Sequence, residues 1–324
     1  MTHASILRQL AGDGPQPRDL AEWEAEVLFA TMLDGGLPEL ELGATLALLQ
    51  QKGESVSERL GFARALAARV APVGAPEGKA LPVVFPSYGS SRDEPDLLPL
   101  LALLLQRVQV PVLIHGTLDR DGSCAYVFRE LGVMPCVSAE QATARLAETG
   151  LAFVPVGAIA PGLAGLMALS ARLGVRNVAH SVARLLSPFE PDSLRVVGAV
   201  DRSDHASLRQ HLQSSAERAL LLDATAVEAC ASARRRPRME LFDGGLCSVL
   251  FEAEVESPRA ASPLAAGREP QAAAAWTRAA LAGQAPLPGP LVHQLACCLY
   301  GSGAAGSLHE AKALVAVGSG VPAA

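Results

Sequence analysis

Residues 18 to about 70 carry apolar positions at helical spacing, so this stretch reads as helices alone. Asp19-Leu20-Ala21-Glu22 opens the first helix, with acids at the positive end of its dipole. Trp23, Val27, Leu28 and Leu33 form its predicted apolar stripe, and Asp34-Gly35-Gly36 ends it. Pro38 begins a second helix that closes near Lys52-Gly53. Ser55-x-x-Glu58 has the form of a capping box for a third, whose apolar face is predicted at Leu60, Ala63, Leu66, Ala67 and Val70. A Pro/Gly-rich connection from Ala71 to Gly78 then marks a boundary.

Beyond it the pattern changes. Short apolar runs (Leu81 to Phe85, Val110 to Ile114, Leu151 to Val156, Leu194 to Val200, Ala219 to Leu222) alternate with helical stretches. That alternation predicts βαβ units, hence an α/β fold with a mostly parallel central sheet flanked by helices, after a small all-helical N-terminal domain. Such a sheet binds ligands at the carboxyl ends of its strands, which directs attention to the loops after those runs. The C-terminal third adds helices around Ala272 to Leu281, up to Tyr300 and from Leu308, with a Pro/Gly turn at Pro286 to Pro290. No internal repeat is present.

Composition narrows the class. The chain has 324 residues, half of them hydrophobic, which excludes a disordered or collagen-like protein and suits about two domains. Its formal charge of −6 argues against a protein that is basic all over, but not against a local basic patch. Lys52, Lys79 and Lys312 are the only lysines, so the basic groups are almost all arginine. The six cysteines make no C-x-x-C pair and read as small buried hydrophobes in a reducing cytosol. Met1 to Gln16 lacks the apolar core of a signal peptide. The longest apolar stretch, Leu97 to Leu105, is far short of the ~20 residues that a membrane span needs. A soluble, cytoplasmic protein is expected.

Three loops carry candidate chemistry. Phe85-Pro86-Ser87-Tyr88-Gly89-Ser90-Ser91 follows the first apolar run, and its small residues can let backbone amides approach a phosphate. Ile114-His115-Gly116-Thr117 stands at the next strand end. The third is Arg234-Arg235-Arg236-Pro237-Arg238, a concentrated positive site in which proline prevents a helix from continuing. Residues 172 to 238 hold eleven arginines against seven acids, so this segment is +4 and the remainder −10. The charge is unevenly distributed.

In their order along the chain these pieces resemble anthranilate phosphoribosyltransferase, a glycosyltransferase family 3 enzyme. A helical domain precedes a strand and glycine loop, then strand-H-G, L-G, L-G-V-R-N and L-L-x-P. The closing pattern appears as Leu281-Ala282-Gly283 and Leu299-Tyr300-Gly301-Ser302-Gly303. The resemblance implies a helical domain at 1–75, joined by helices near 160–190 and used for homodimerisation, and a phosphoribosyltransferase-like α/β domain at 79–324.

The functional motifs depart from that family. Its G-T-G-G-D pyrophosphate loop falls on Pro86-Ser87-Tyr88-Gly89-Ser90, where Tyr88 puts a ring in place of backbone. Its N-x-S-T phosphate clamp falls on Asp96-Leu97-Leu98-Pro99, without either hydroxyl. Asp93, Glu94 and Asp96 crowd this loop. A carboxylate 4 Å from a phosphate charge opposes it by roughly 4 kcal/mol at an effective dielectric near 20. Of K-H-G-N-R only His115-Gly116 remains, the cations falling on Ile114 and Leu118. The arginine and histidine associated with anthranilate fall on Ser170 and Ala160, and the magnesium pair is reduced to Glu228.

Kept fold and altered motifs together are similar to the YbiB-type group, fold relatives that bind DNA. What this resemblance implies is a protein without catalytic residues, metal or cofactor that binds the backbone of DNA or RNA without sequence preference. The expected contacts are Arg184, Arg202, Arg209, Arg234, Arg235, Arg236 and Arg238. Ser87, Gly89, Ser90, Ser91, His115, Gly116 and Thr117 would be a vestigial phosphate pocket. With aromatics at only 4% of the chain, base stacking contributes little. The alternative is a phosphoribosyltransferase or glycosyltransferase of altered substrate, using Mg²⁺. A protein-interaction scaffold is a third reading.

Overall fold

The computed structural model describes residues 3–12, 18–89, 96–118, 124–189, 193–223, 229–254 and 269–319. Its chain divides into two compact units, residues 1–71 with 156–188, and residues 72–155 with 189–324.

The first unit is helical. It holds α1 (His3–Ala11), α2 (Glu22–Leu33), α3 (Glu39–Lys52) and α4 (Val56–Ala67), and after a long excursion of the chain α8 (Val156–Ile159), α9 (Pro161–Ala168), α10 (Ser170–Leu173) and α11 (Val178–Ala183). The capping box at Ser55 is present: its hydroxyl accepts from the Glu58 amide, and Glu58 accepts from the Ser55 amide. Glu58 is fully buried, and its carboxylate also takes the Leu20 amide at 2.9 Å and Lys52 Nζ at 2.6 Å. A buried charge persists because its oxygens find donors.

The face of α4 differs from the expected one. Phe62, Ala65 and Leu66 are buried, whereas Ala67 is exposed and Leu60, Ala63 and Val70 are only half-buried. Gly61 explains the rotation. A Cβ there would meet Glu22 O at 2.2 Å, so only glycine lets α2 and α4 approach this closely. The approach brings Phe29 and Phe62 to a centroid distance of 4.9 Å. The predicted stripe on α2 is corrected in the same way: Leu28 and Leu33 are buried, while Trp23 and Val27 are 61% and 59% exposed. Helix α1 lies outside the predicted elements; Ile6 and Leu10, four apart, bury its inner face.

Among the described residues the second unit has seven strands, β1 (Val83–Ser87), β2 (Val112–Gly116), β3 (Leu151–Pro155), β4 (Leu194–Gly198), β5 (Ala219–Leu222), β6 (Met239–Asp243) and β7 (Leu246–Phe251). They lie in the order β3-β2-β1-β4-β5-β6-β7. Strands β1 to β5 correspond to the five apolar runs and pair in parallel, as the βαβ pattern predicts. The hairpin β6–β7 is antiparallel and extends the sheet at the β5 edge. It turns on Gly244 and Gly245, with φ of 57° and 81°, the backbone that a two-residue hairpin turn requires.

Side chains alternate across the sheet. Phe85, Ile114, Phe153, Val196 and Leu222 enter the main core beside α5 (Leu98–Arg107), α6 (Cys124–Glu130), α13 (Pro270–Leu281), α14 (Gly289–Gly301) and α15 (Leu308–Ser319). The opposite face carries α12 (Arg202–Ser215), which buries Leu208 and Leu212, while α7 (Ala139–Thr149) packs on β3. Five cysteines are buried; Cys247 on β7 is half-buried. Among the described residues no helix is long and apolar enough to cross a membrane.

Candidate functional site

The carboxyl ends of β1 and β2 lie side by side, with Ser87 opposite Gly116. Gly116 is demanded by this register, since a Cβ would meet Ser87 O at 2.1 Å. Thr117 donates its amide to Ser87 O at 3.3 Å. At these strand ends, Tyr88 Oη and His115 Nδ1 share a hydrogen bond of 2.7 Å, with ring centroids 5.4 Å apart. Both rings are buried, and burial pushes the Tyr88 phenol well above its ordinary range. The structure therefore brings together Ser87, Gly89, His115, Gly116 and Thr117, with a tyrosine ring among them. Ser90 and Ser91, like Asp93 and Glu94, lie outside the described residues.

Asp96 precedes α5. Its Oδ1 accepts the Leu98 amide at 2.9 Å, and burial pushes its carboxyl up to about 6 against the pull of that amide and of the Cys124 thiol. Leu97, Leu98 and Pro99 are buried, so this turn offers apolar bulk to its surroundings. Ile114 is fully buried in the core and Leu118 is partly exposed. Ala160 and Ser170 belong to the helical unit. Glu228 lies outside the described residues, and among those described no three His, Cys, Asp or Glu side chains converge to hold a metal ion.

Two of the expected arginines meet on β6. Glu240, fully buried on that strand, has His205 Nε2 at 2.8 Å, Arg209 Nε at 3.5 Å and Arg238 Nε at 3.3 Å from its carboxylate oxygens. Arg209 and Arg238 share one carboxylate oxygen, so their guanidinium groups are neighbours although one comes from α12 and the other from the loop before β6. Cys247 Sγ lies 3.7 Å from that oxygen and 3.8 Å from Arg209 Nη2. Arg238 Nη1 also pairs with Glu252 at 2.6 Å, and Arg236 with Glu254 at 2.8 Å.

Among the expected contacts, Arg202 and Arg234 are exposed, and Arg235, Arg236, Arg209 and Arg238 are half-buried. Arg184, also among the expected contacts, is buried at the end of α11 in the helical unit. Glu240 stands two residues after Arg238 in the chain, whereas Glu252 and Glu254 lie beyond the hairpin, and the Asp243-Gly244-Gly245 turn signal is the sequence feature that points to them.

The helical bundle domain of a glycosyl transferase family matches residues 4–70. YbiB of Escherichia coli (strain K12) is 35% identical over 318 residues, 97% of this chain and 99% of that protein. The anthranilate phosphoribosyltransferase of Sorangium cellulosum (strain So ce56) is 29% identical over 339 residues, covering 99% of this chain and 92% of its own. In fold the chain is similar to the crystal structure of anthranilate phosphoribosyltransferase (TrpD) from Thermus thermophilus. The TM-score is 0.79 at 22% identity, over 99% of this chain and 95% of that one. A relative at 35% identity along the full length shares more than a fold, and the chain belongs to the anthranilate phosphoribosyltransferase-like family, in its YbiB-like group.

Proposed function

We propose that the protein is a catalytically silent member of this family that binds DNA or RNA along the backbone, without sequence preference, as a homodimer. The observation that carries the reading is the Tyr88–His115 contact of 2.7 Å. A ring held there fills the turn where the family's pyrophosphate loop would need bare backbone. Two further features support it. Leu98 and Pro99 stand where the clamp would need hydroxyls, and Arg209 of α12 converges on Glu240 with Arg238, which closes the run Arg234-Arg235-Arg236-Pro237-Arg238. Arginine forks suit phosphate oxygens, and Glu240 draws two of them together.

Homodimerisation finds support in the helical unit, where Trp23 and Val27, one turn apart on α2, and Leu40 on α3 are exposed. Large apolar groups gathered on one unit suit a second copy.

The test is a fluorescent DNA titration across a salt series. Binding at low salt is expected to fall steeply, with a log–log slope of about −0.9 per phosphate contact on duplex DNA. Replacing Arg234, Arg235, Arg236 and Arg238 by alanine should abolish it. No binding to DNA or RNA at low salt overturns the reading.

A transferase of altered substrate is the second reading, favoured by Asp96. A buried carboxyl pushed up to about 6 at the start of α5 is suited to general acid–base work. It predicts heat from phosphoribosyl pyrophosphate plus Mg²⁺ in a calorimeter. A flat trace removes it.

A further inference from the structure

Phe251 ends β7 and packs its ring against the main core. Three basic side chains from three different elements meet that ring. Arg236 Cζ, from the loop before β6, lies 5.1 Å from its centroid. Lys312 Nζ, from α15, lies 4.8 Å from it. The imidazole of His293, from α14, is 4.6 Å away centroid to centroid, tilted by 52°. Cations are drawn to an aromatic face by its quadrupole, so a core-anchored ring keeps flexible side chains at one spot.

The charges there do not balance. Glu254 is the acid on this cluster, paired with Arg236 at 2.8 Å and 45% exposed. Among the described residues Lys312 has no carboxylate within 4 Å. Among the described residues two permanent cations thus face one solvent-accessible acid, an arrangement that attracts a further anion.

We infer that Lys312 and Arg236, steadied on Phe251 and flanked by His293, form a phosphate-contact patch that extends the nucleic-acid surface from the arginine loop onto the C-terminal helix. This rests on the nucleic-acid reading above and adds to it the residues of α14, α15 and β7. The ligand group is a backbone phosphodiester rather than a base, because the ring is already attended by Arg236, Lys312 and His293. A phosphate arriving at Arg236 competes with Glu254 for the same guanidinium. The local potential leaves a mark on His293. Burial depresses its imidazole first, Arg236 and Lys312 depress it further, and Glu254 alone acts in the other direction. An added phosphate reverses the sign of that influence.

The experiment uses the full chain with a single-stranded oligothymidylate, read by fluorescence anisotropy across salt and by the His293 imidazole resonance across pH. Lys312→Ala is expected to weaken binding several-fold and to flatten the salt slope by about one contact, while Lys312→Arg keeps both. The His293 titration midpoint is expected to rise on saturation with DNA. If the wild type binds but Lys312→Ala matches it in affinity and slope and the His293 midpoint stays put, the patch is wrong and the nucleic-acid reading survives. If the wild type binds no DNA at low salt, both fall together.

Discussion

Tyr88 Oη meets His115 Nδ1 at 2.7 Å across the ends of two adjacent parallel strands, and both side chains are buried. The pair fills the turn after β1 with two packed rings. Neither residue is polar by accident: a buried phenol needs a partner, and the imidazole supplies it.

Tyr88→Phe keeps the ring and removes the bond, so urea unfolding should give a loss of about 1–3 kcal/mol, because the His115 nitrogen loses its phenol partner. Tyr88→Ala also removes the packing and should cost about 3–5 kcal/mol. Equal stability of Tyr88→Phe and wild type would show that the hydrogen bond is idle.

Glu240→Gln preserves shape and removes the charge that Arg209, Arg238 and His205 share. A fully buried pair broken from one side loses about 3–5 kcal/mol, but these arginines are 43% and 32% exposed and can rehydrate. The expected loss is about 1–3 kcal/mol in chemical denaturation. A neutral outcome would mean that the arginines hold their directions without the carboxylate.

Asp96 gives a signed pH dependence. Its carboxyl is raised from 3.8 to about 6 on folding, so the folded chain holds the proton more tightly than the unfolded one. Its contribution is full below pH 3.8 and is lost as pH rises through about 6. Asp96→Asn mimics the protonated form and can still accept from Leu98. Urea midpoints of the two proteins should coincide at the acid end of this window and separate, with the variant more stable, above a pH of about 6. Parallel curves over this range would contradict the burial of that carboxyl.

Trp23→Glu tests the exposed face of α2. Sedimentation equilibrium should show a dimer for wild type and a monomer for the variant, with the same circular dichroism. A dimer that persists in Trp23→Glu would exclude that face from the interface.

Much of the fold is legible in the residue order. Five apolar runs become β1 to β5, and the capping box at Ser55, the Asp34-Gly35-Gly36 stop and the C-terminal helices stand where local chemistry puts them. Local signals suffice there because caps, breakers and runs act within one turn or strand. The faces of α2 and α4 depart from the apolar pattern because Gly61, a poor helix former, is the deciding contact and contributes nothing to an apolar stripe. The hairpin escapes the pattern because Leu246-Cys247-Ser248-Val249 is an edge strand with few apolar positions facing the core.

The candidate site divides along similar lines. Residue types alone give the arginine concentration at 234–238, and the family resemblance marks Tyr88 and the Asp96-Leu97-Leu98-Pro99 turn. Which charges oppose those arginines is decided only in three dimensions. Glu252 and Glu254 reach them across an antiparallel turn, and Glu240, two residues beyond Arg238, also draws in His205 and Arg209 from a helix far from it in the chain. Sequence determined the elements, since hydrogen bonding and burial within a strand or helix depend on near neighbours. Tertiary structure decided the electrostatics, since Coulomb interactions depend on distance in space and on the dielectric that packing creates, and neither is written in the order of residues.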